Sequence, residues 1–215
     1  MKALMKWLLL VAALCAPLPA FAQGSIVYVD TPDITMGAFD GETFSFDLDG
    51  NETLDVDFRN RSADFRVLPR AGNEVAALAA TPPAVGANAT LLASGALISS
   101  SLAWQPRTPS FPPGEFEGPL LSTTLGSLSA YGPFAGRDGY LGIRFLIGGN
   151  LHYGWIHLNC VFSGPYQPAA GRITEWAYNS TPNAPLAAGA VPEPGTWALL
   201  ALGAAALWSL RRRPS

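Results

Sequence analysis

The sequence predicts an all-β chain: a single β-sandwich or jelly-roll-like domain of about 8 to 12 strands, set between an N-terminal signal peptide and a C-terminal transmembrane helix. Three observations carry this expectation. Apolar and polar residues alternate through residues 44–58. A longer alternating stretch, 140–162, is split by Gly148-Gly149-Asn150. Short β-branched and aromatic runs at 25–30, 64–68 and 170–178 each give way to a proline or to small polar residues.

In chain order, Lys2 and Lys6 precede an apolar run from Trp7 to about Ala16, and Ala20-Phe21-Ala22 has the small-x-small pattern of a signal cleavage site. Residues 1–22 are therefore expected to be removed before Gln23. Leu14 is too large for the position preceding a lipidated cysteine, so Cys15 is read as part of the signal. Ser25 to Asp30 is a first strand, ended by Asp30 and Pro32.

Phe44, Phe46 and Leu48, then Leu54, Val56 and Phe58, recur at every second residue. That period places them on one buried face of a β-hairpin and Asp47, Asp55 and Asp57 on the other. Asp49-Gly50-Asn51-Glu52 supplies the turn, Gly50 and Asn51 being tolerant of positive φ. Asp47, Asp49 and Asn51 also stand at positions 1, 3 and 5 of a calcium loop, with Asp55 at 9. Glu52 takes the place of the required glycine and Phe58 that of the bidentate glutamate, which excludes an EF-hand and leaves a looser oxygen cage at Asp47, Asp49 and Asn51.

Asp64 to Leu68 is another strand, closed by Pro69. Small residues and prolines dominate the chain beyond Pro69, where Val75–Ala80 reads as a short helix and Gly95–Trp104 as a strand or short helix. Pro106, Pro109, Pro112 and Pro113 enforce a loop, because a central strand cannot lose so many donors. Glu115, Phe116 and Glu117 belong to that loop. Tyr140–Ile147 and Leu151–Phe162, joined by Gly-Gly-Asn, form a second hairpin. In its second arm Ile156, Leu158 and Cys160 face the core, while Tyr153, Trp155, His157 and Asn159 face a second layer, a neighbouring strand or solvent. Ala170–Tyr178 adds a strand with Ile173, Glu175 and Ala177 opposite Thr174, Trp176 and Tyr178, and residues 181–190 read as a Pro/Ala-rich linker.

Once both ends are removed, residues 23–190 carry fifteen carboxylates against eight arginines and no lysine, a net charge of -7. No basic patch is available to neutralise phosphates, so nucleic acid is not expected as a partner. Cys160 is the only cysteine in this stretch, which excludes a disulfide scaffold and suits a small core hydrophobe.

The tail combines Pro192-Glu193-Pro194, an apolar run from Thr196 to Leu210, and Arg211, Arg212 and Arg213. Its helix, about 196–210, would span roughly 22 Å against a hydrocarbon layer of ~30 Å. Trp197 and Trp208 suit the interfaces, and the arginines would stay cytoplasmic with the rest of the chain outside. This order of parts resembles the PEP-CTERM protein-sorting signal of Gram-negative bacteria, here spanning 191–215. The resemblance implies recognition by an exosortase, transient residence in the inner membrane, and release or transfer to the cell surface or extracellular matrix, usually in bacteria that make exopolysaccharide. A diffuse second resemblance, from Tyr140 to Pro194, is to a block in many PEP-CTERM surface proteins. It implies that Tyr140, His152, Tyr153, Gly154, Trp155, Ile173, Glu175, Trp176 and Tyr178 share one folded core within 23–180, and it brings no activity or cofactor.

The chemistry-bearing residues are few. His152 and His157, five apart on a strand, face opposite ways and cannot converge on zinc. The chain has no G-x-S-x-G elbow, and its cysteine is not placed to pair with a histidine. Tyr153, Trp155, Trp176 and Tyr178 are the candidates for stacking on sugar rings. The expected function is therefore that of an exported, non-enzymatic cell-surface or exopolysaccharide-matrix protein. A glycan-binding module is the alternative, and an extracellular hydrolase the third reading.

Overall fold

The computed structural model describes residues 26–36, 39–61, 64–78, 87–107, 118–125, 129–161 and 170–192. The expected signal peptide, the loop around Glu115–Glu117 and the tail from Glu193 onward lie outside them. The first strands are β1 (Ile26–Met36), β2 (Thr43–Phe46), β3 (Val56–Arg61), β4 (Asp64–Pro69) and β5 (Glu74–Leu78). Short pairings come next: β6 (Asn88–Ala89), β7 (Leu91–Leu92), β8 (Leu97–Ile98) and β9 (Trp104–Gln105). The remainder are β10 (Leu120–Leu125), β11 (Ser129–Tyr131), β12 (Asp138–Ile147), β13 (Asn150–Val161), β14 (Ala170–Asn179) and β15 (Leu186–Ala187). The count exceeds the expected range because five of these strands are two-residue pairings.

Thirteen strands join one sheet in the order β1-β14-β13-β12-β5-β6-β10-β4-β3-β2, with β11, β7 and β9 attached beside it. Strand β5 is the corner. Its first half pairs with β12 through Val75 and Glu74, and its second half pairs with β6 through Ala77 and Leu78. The two halves of the sheet thus fold toward each other into a near-closed, all-β barrel. At the closing edge the Trp176 indole N–H donates to the Leu48 carbonyl at 3.1 Å, and the Phe46 ring meets the indole edge-on at 4.7 Å.

The main core lies between the halves. Met36, Ile143, Ile156, Leu158, Cys160, Ile173 and Trp176 come from one side, and Phe46, Val56, Phe58, Phe65 and Val67 from the other. Gly171 marks the closest approach, since a Cβ there would stand 2.5 Å from the Phe65 ring. A second core lies on the opposite face of β13 and β14, where Tyr153, Trp155 and Ala177 are covered by Leu92, Ile98, Leu186 and Ala188. Strand β13 therefore buries both of its faces.

Four local expectations need correction. The helix expected at Val75–Ala80 is strand β5, because pairing on both sides outweighs the helical preference of alanine. The first hairpin forms as expected, but its ladder ends at Phe46 opposite Val56, so residues 47–55 make a nine-residue loop. Leu54 is consequently 41% exposed, while Asp55 and Asp57, expected to face solvent, are buried at 2% and 5%. The positive-φ residues of this loop are Gly50 and Glu52, not Asn51.

In β14 a bulge places Glu175 opposite His157 but Ile173 opposite Leu158, leaving Thr174 as the extra residue. Ile173 and Trp176 thereby reach the same core, although simple alternation separates them. Finally, residues 181–190 are no extended linker: β15 pairs with β8, and Leu186 and Ala188 are 3% and 1% exposed. Leu186 and Ala188 pack in the core around Trp155.

The second hairpin agrees with expectation. Strands β12 and β13 pair without interruption from Asp138–Asn159 to Ile147–Asn150, around a two-residue turn with φ of 57° at Gly148 and 83° at Gly149. Positive φ at both central residues matches the twist of the flanking strands.

Candidate functional site

Four groups of residues could carry function. Of the tail motif, only Pro192 lies within the described residues, where it follows Val191 onto the exposed surface. Glu193, Pro194, Arg211, Arg212 and Arg213 lie beyond them. No helix among the described residues is long and apolar enough to cross a membrane.

The proposed sugar-stacking residues do not form a platform. Tyr153, Trp155 and Trp176 are 3%, 0% and 7% exposed, and only Tyr178 is partly open. Trp155 is clasped by Tyr28 at 6.2 Å and Tyr140 at 5.2 Å, while Trp104 covers Tyr153 at 5.8 Å. The rings are buried because β8, β15 and the segment before β9 close over this face of the sheet. Tyr178 belongs to the other core, against Phe145.

The acidic loop gathers Asp47, Asp49 and Asp55, each with a carboxylate oxygen within 4.8 Å of the others. The side-chain oxygen of Asn51, expected beside Asp47 and Asp49, accepts the Thr53 N–H at 2.7 Å. Gly50 N–H and Glu52 N–H donate to Asp47, each at 2.8 Å, and Asn51 donates to Asp49 from both its backbone and its side chain. Asp55 accepts from Leu48 N–H at 2.9 Å and from the Asn73 side chain at 3.1 Å. These donors fold the nine residues around the carboxylates and supply part of the compensating positive potential. Burial nevertheless pushes Asp55 up to about 6 and raises Asp49 as well. Asp47, Asp49 and Asp55 are the residues whose oxygens could meet a hard cation.

A further group, not anticipated from spacing, surrounds His157. Its Nε2 is 3.1 Å from Asp138, and its Nδ1 lies 2.8 Å from the Thr174 hydroxyl and 3.4 Å from Glu175. The Tyr140 ring stacks on the imidazole at 4.5 Å. Tyr28 donates its hydroxyl to Glu175 at 2.5 Å; that hydrogen bond, then burial, pushes the Tyr28 phenol up to about 12. Burial raises Tyr140 too. Hydroxyl, imidazole and carboxylate thus stand in a row, with the ring fixed through both nitrogens and one face. The bulge at Thr174 creates this row, and no periodicity in the sequence announces a bulge.

The other titratable candidates are structural. His152 is buried with Nδ1 2.8 Å from the Asn179 carbonyl, and burial pushes the Cys160 thiol up to about 12, far from thiolate reactivity.

Comparison with known protein families matches the PEP-CTERM protein-sorting motif to residues 190–213. No curated protein and no solved structure matches the chain. The chain therefore carries a PEP-CTERM sorting motif at its C-terminal end, an address for exosortase-linked export to the cell surface.

Proposed function

We propose that the chain is the precursor of a non-enzymatic protein of the cell surface or exopolysaccharide matrix, delivered there by an exosortase. The PEP-CTERM motif at 190–213 carries this reading. Met1 to Ala22 starts export, and the apolar run 196–210, with Arg211–Arg213 left inside, holds the precursor in the inner membrane until the tail is removed. The net charge of -7 on residues 23–190 favours an extracellular protein that stays dispersed. Support for a structural role comes from Tyr153, Trp155 and Trp176, whose rings are buried in the two cores.

The test is made in a bacterium that possesses an exosortase and produces the full chain. The wild-type protein is expected in the surface or medium fraction, shortened at its C-terminus. A chain with Pro192→Ala, Glu193→Ala and Pro194→Ala is expected at full length in the membrane fraction. Identical distribution and mass for the two would overturn the proposal.

A further inference from the structure

We infer that processing leaves the whole of Thr181–Ala190 on the mature protein, because Pro185–Ala190 is a latch of the folded domain and the peptide bond that breaks must lie on the C-terminal side of Ala190. This rests on the sorting role proposed above and adds where that processing falls.

The segment is held at every step. Thr181 N–H donates to the Asn179 side chain at 3.0 Å, Asn183 N–H to the Leu151 carbonyl at 2.8 Å, and the Asn179 amide to the Pro185 carbonyl at 3.2 Å. Leu186 and Ala187 then pair with Ile98 and Leu97. Ala188 donates to the Ala96 carbonyl and accepts from Gly95 N–H, both at 2.8 Å, and Ala190 N–H returns to the Ala187 carbonyl at 3.0 Å. Gly189 adopts φ of +75° with its Cα against the Tyr140 phenol, so close that a Cβ would lie 2.8 Å from the hydroxyl oxygen. Leu186 and Ala188 seal the core around Trp155. Thr181–Asn183 and Pro185 are exposed but tied into a turn, Ala184 N–H reaching the Thr181 carbonyl at 3.3 Å, and the chain leaves the domain at Val191, 45% exposed, and Pro192.

A peptidase or acyl-transfer enzyme takes its substrate as an extended strand with both backbone edges accessible. Residues 185–190 cannot offer that without peeling away from Ile98 and uncovering Trp155. Cleavage downstream of Ala190 needs no such opening. There the peptide C–N bond breaks, the acyl carbon bonds to the oxygen of water or the nitrogen of an acceptor amine, and the tail leaves with the transferred proton on its new amino terminus. The domain thus acts as a ruler. From Ala190 to Pro194 is four residues, at most about 14 Å of extended chain, so the processing enzyme must approach the β8–β15 end of the domain, where Leu97 is 58% exposed.

Two measurements test this. In the first, the wild-type protein recovered from exosortase-containing cells is mapped by intact mass and C-terminal peptide. A terminus at or beyond Ala190 is expected; one before Ala190 overturns the inference while leaving the sorting role intact. Recovery with the complete tail would count against the sorting role. In the second, the full-length chain in detergent is exposed briefly to a broad-specificity protease under native conditions. The first cuts are expected after Ala190, with bonds from Pro185 to Ala190 cut at least tenfold more slowly. Equal rates overturn the inference independently of any exosortase. Ala187→Asp, at a half-buried position of β15, should raise cutting within 185–190 while bonds inside β12 and β13 stay protected, which separates latch opening from global unfolding.

Discussion

Between the halves of the sheet, Phe46, Phe58, Phe65, Leu158 and Trp176 meet strand against strand. Outside it, Tyr153, Trp155 and Ala177 lie under a cover made of two-residue strands and the turn-rich end of the domain. The first core is closed by long ladders on both sides, whereas the second depends on contacts such as Leu186 with Ile98, anchored by a single short pairing. A packed interior thus need not have a continuous strand on each wall. Where the cover is thin, loss of one large side chain or one cover residue should cost a disproportionate share of stability.

Substitutions at five positions sharpen or break that contrast. Trp155→Ala should have the largest effect, about 3–5 kcal/mol by chemical denaturation, because the fully buried indole organises the outer core. Its N–H has no hydrogen-bond partner among the described residues, whereas the Trp176 N–H reaches Leu48. Trp155→Phe should therefore be milder than Trp176→Phe, and the reverse order would break the comparison. Gly171→Ala comes next, at about 1–3 kcal/mol, since the added methyl must displace the Phe65 ring between the two halves.

The acidic loop tests the main core's rim through pH. Asp55 is raised from its ordinary 3.8 to about 6 by burial, so the native state holds the extra proton between those values. Its contribution therefore stabilises the fold as pH falls through that window and is lost as pH rises through about 6. Asp55→Asn should flatten the pH dependence of stability between 4 and 6 by on the order of 1–3 kcal/mol, read from denaturation midpoints at each pH. An unchanged slope would refute the assignment. The smallest effect belongs to Leu54→Ala, within about 0.5 kcal/mol, because that side chain sits in the exposed loop and not on the hairpin's buried face.

The two cores also differ in how far the sequence discloses them. Alternation identifies Phe44–Phe58 and Tyr140–Cys160 because one face of each strand meets a wall of comparable length. It cannot show that the Tyr153–Trp155 face is covered as well, since the covering residues, Leu92, Ile98, Leu186 and Ala188, sit in stretches too short to have a period. The same limit hides the His157 group, where one extra residue at Thr174 reverses the parity of β14 and brings Glu175 beside the imidazole. The acidic residues of the loop are visible by composition, but the convergence of Asp55 on Asp47 and Asp49 results from where the ladder stops. The tail differs again. Its charge, proline and apolar pattern is an address read in linear order, so it is recognisable without any tertiary structure.

Strand β1 is eleven residues long and stands at the end of the sheet, an edge where a second copy of the chain could add a strand. Pro32 removes a donor from its middle, the irregular register between Asp30 and Ile34 bends it, and Asp33 holds Arg172 at its flank. Where molecules crowd together these features work as colloidal protection: neighbours can touch without templating a fibril. Pro32→Val chains that remain monomeric at millimolar concentration would show that the edge needs no such guard.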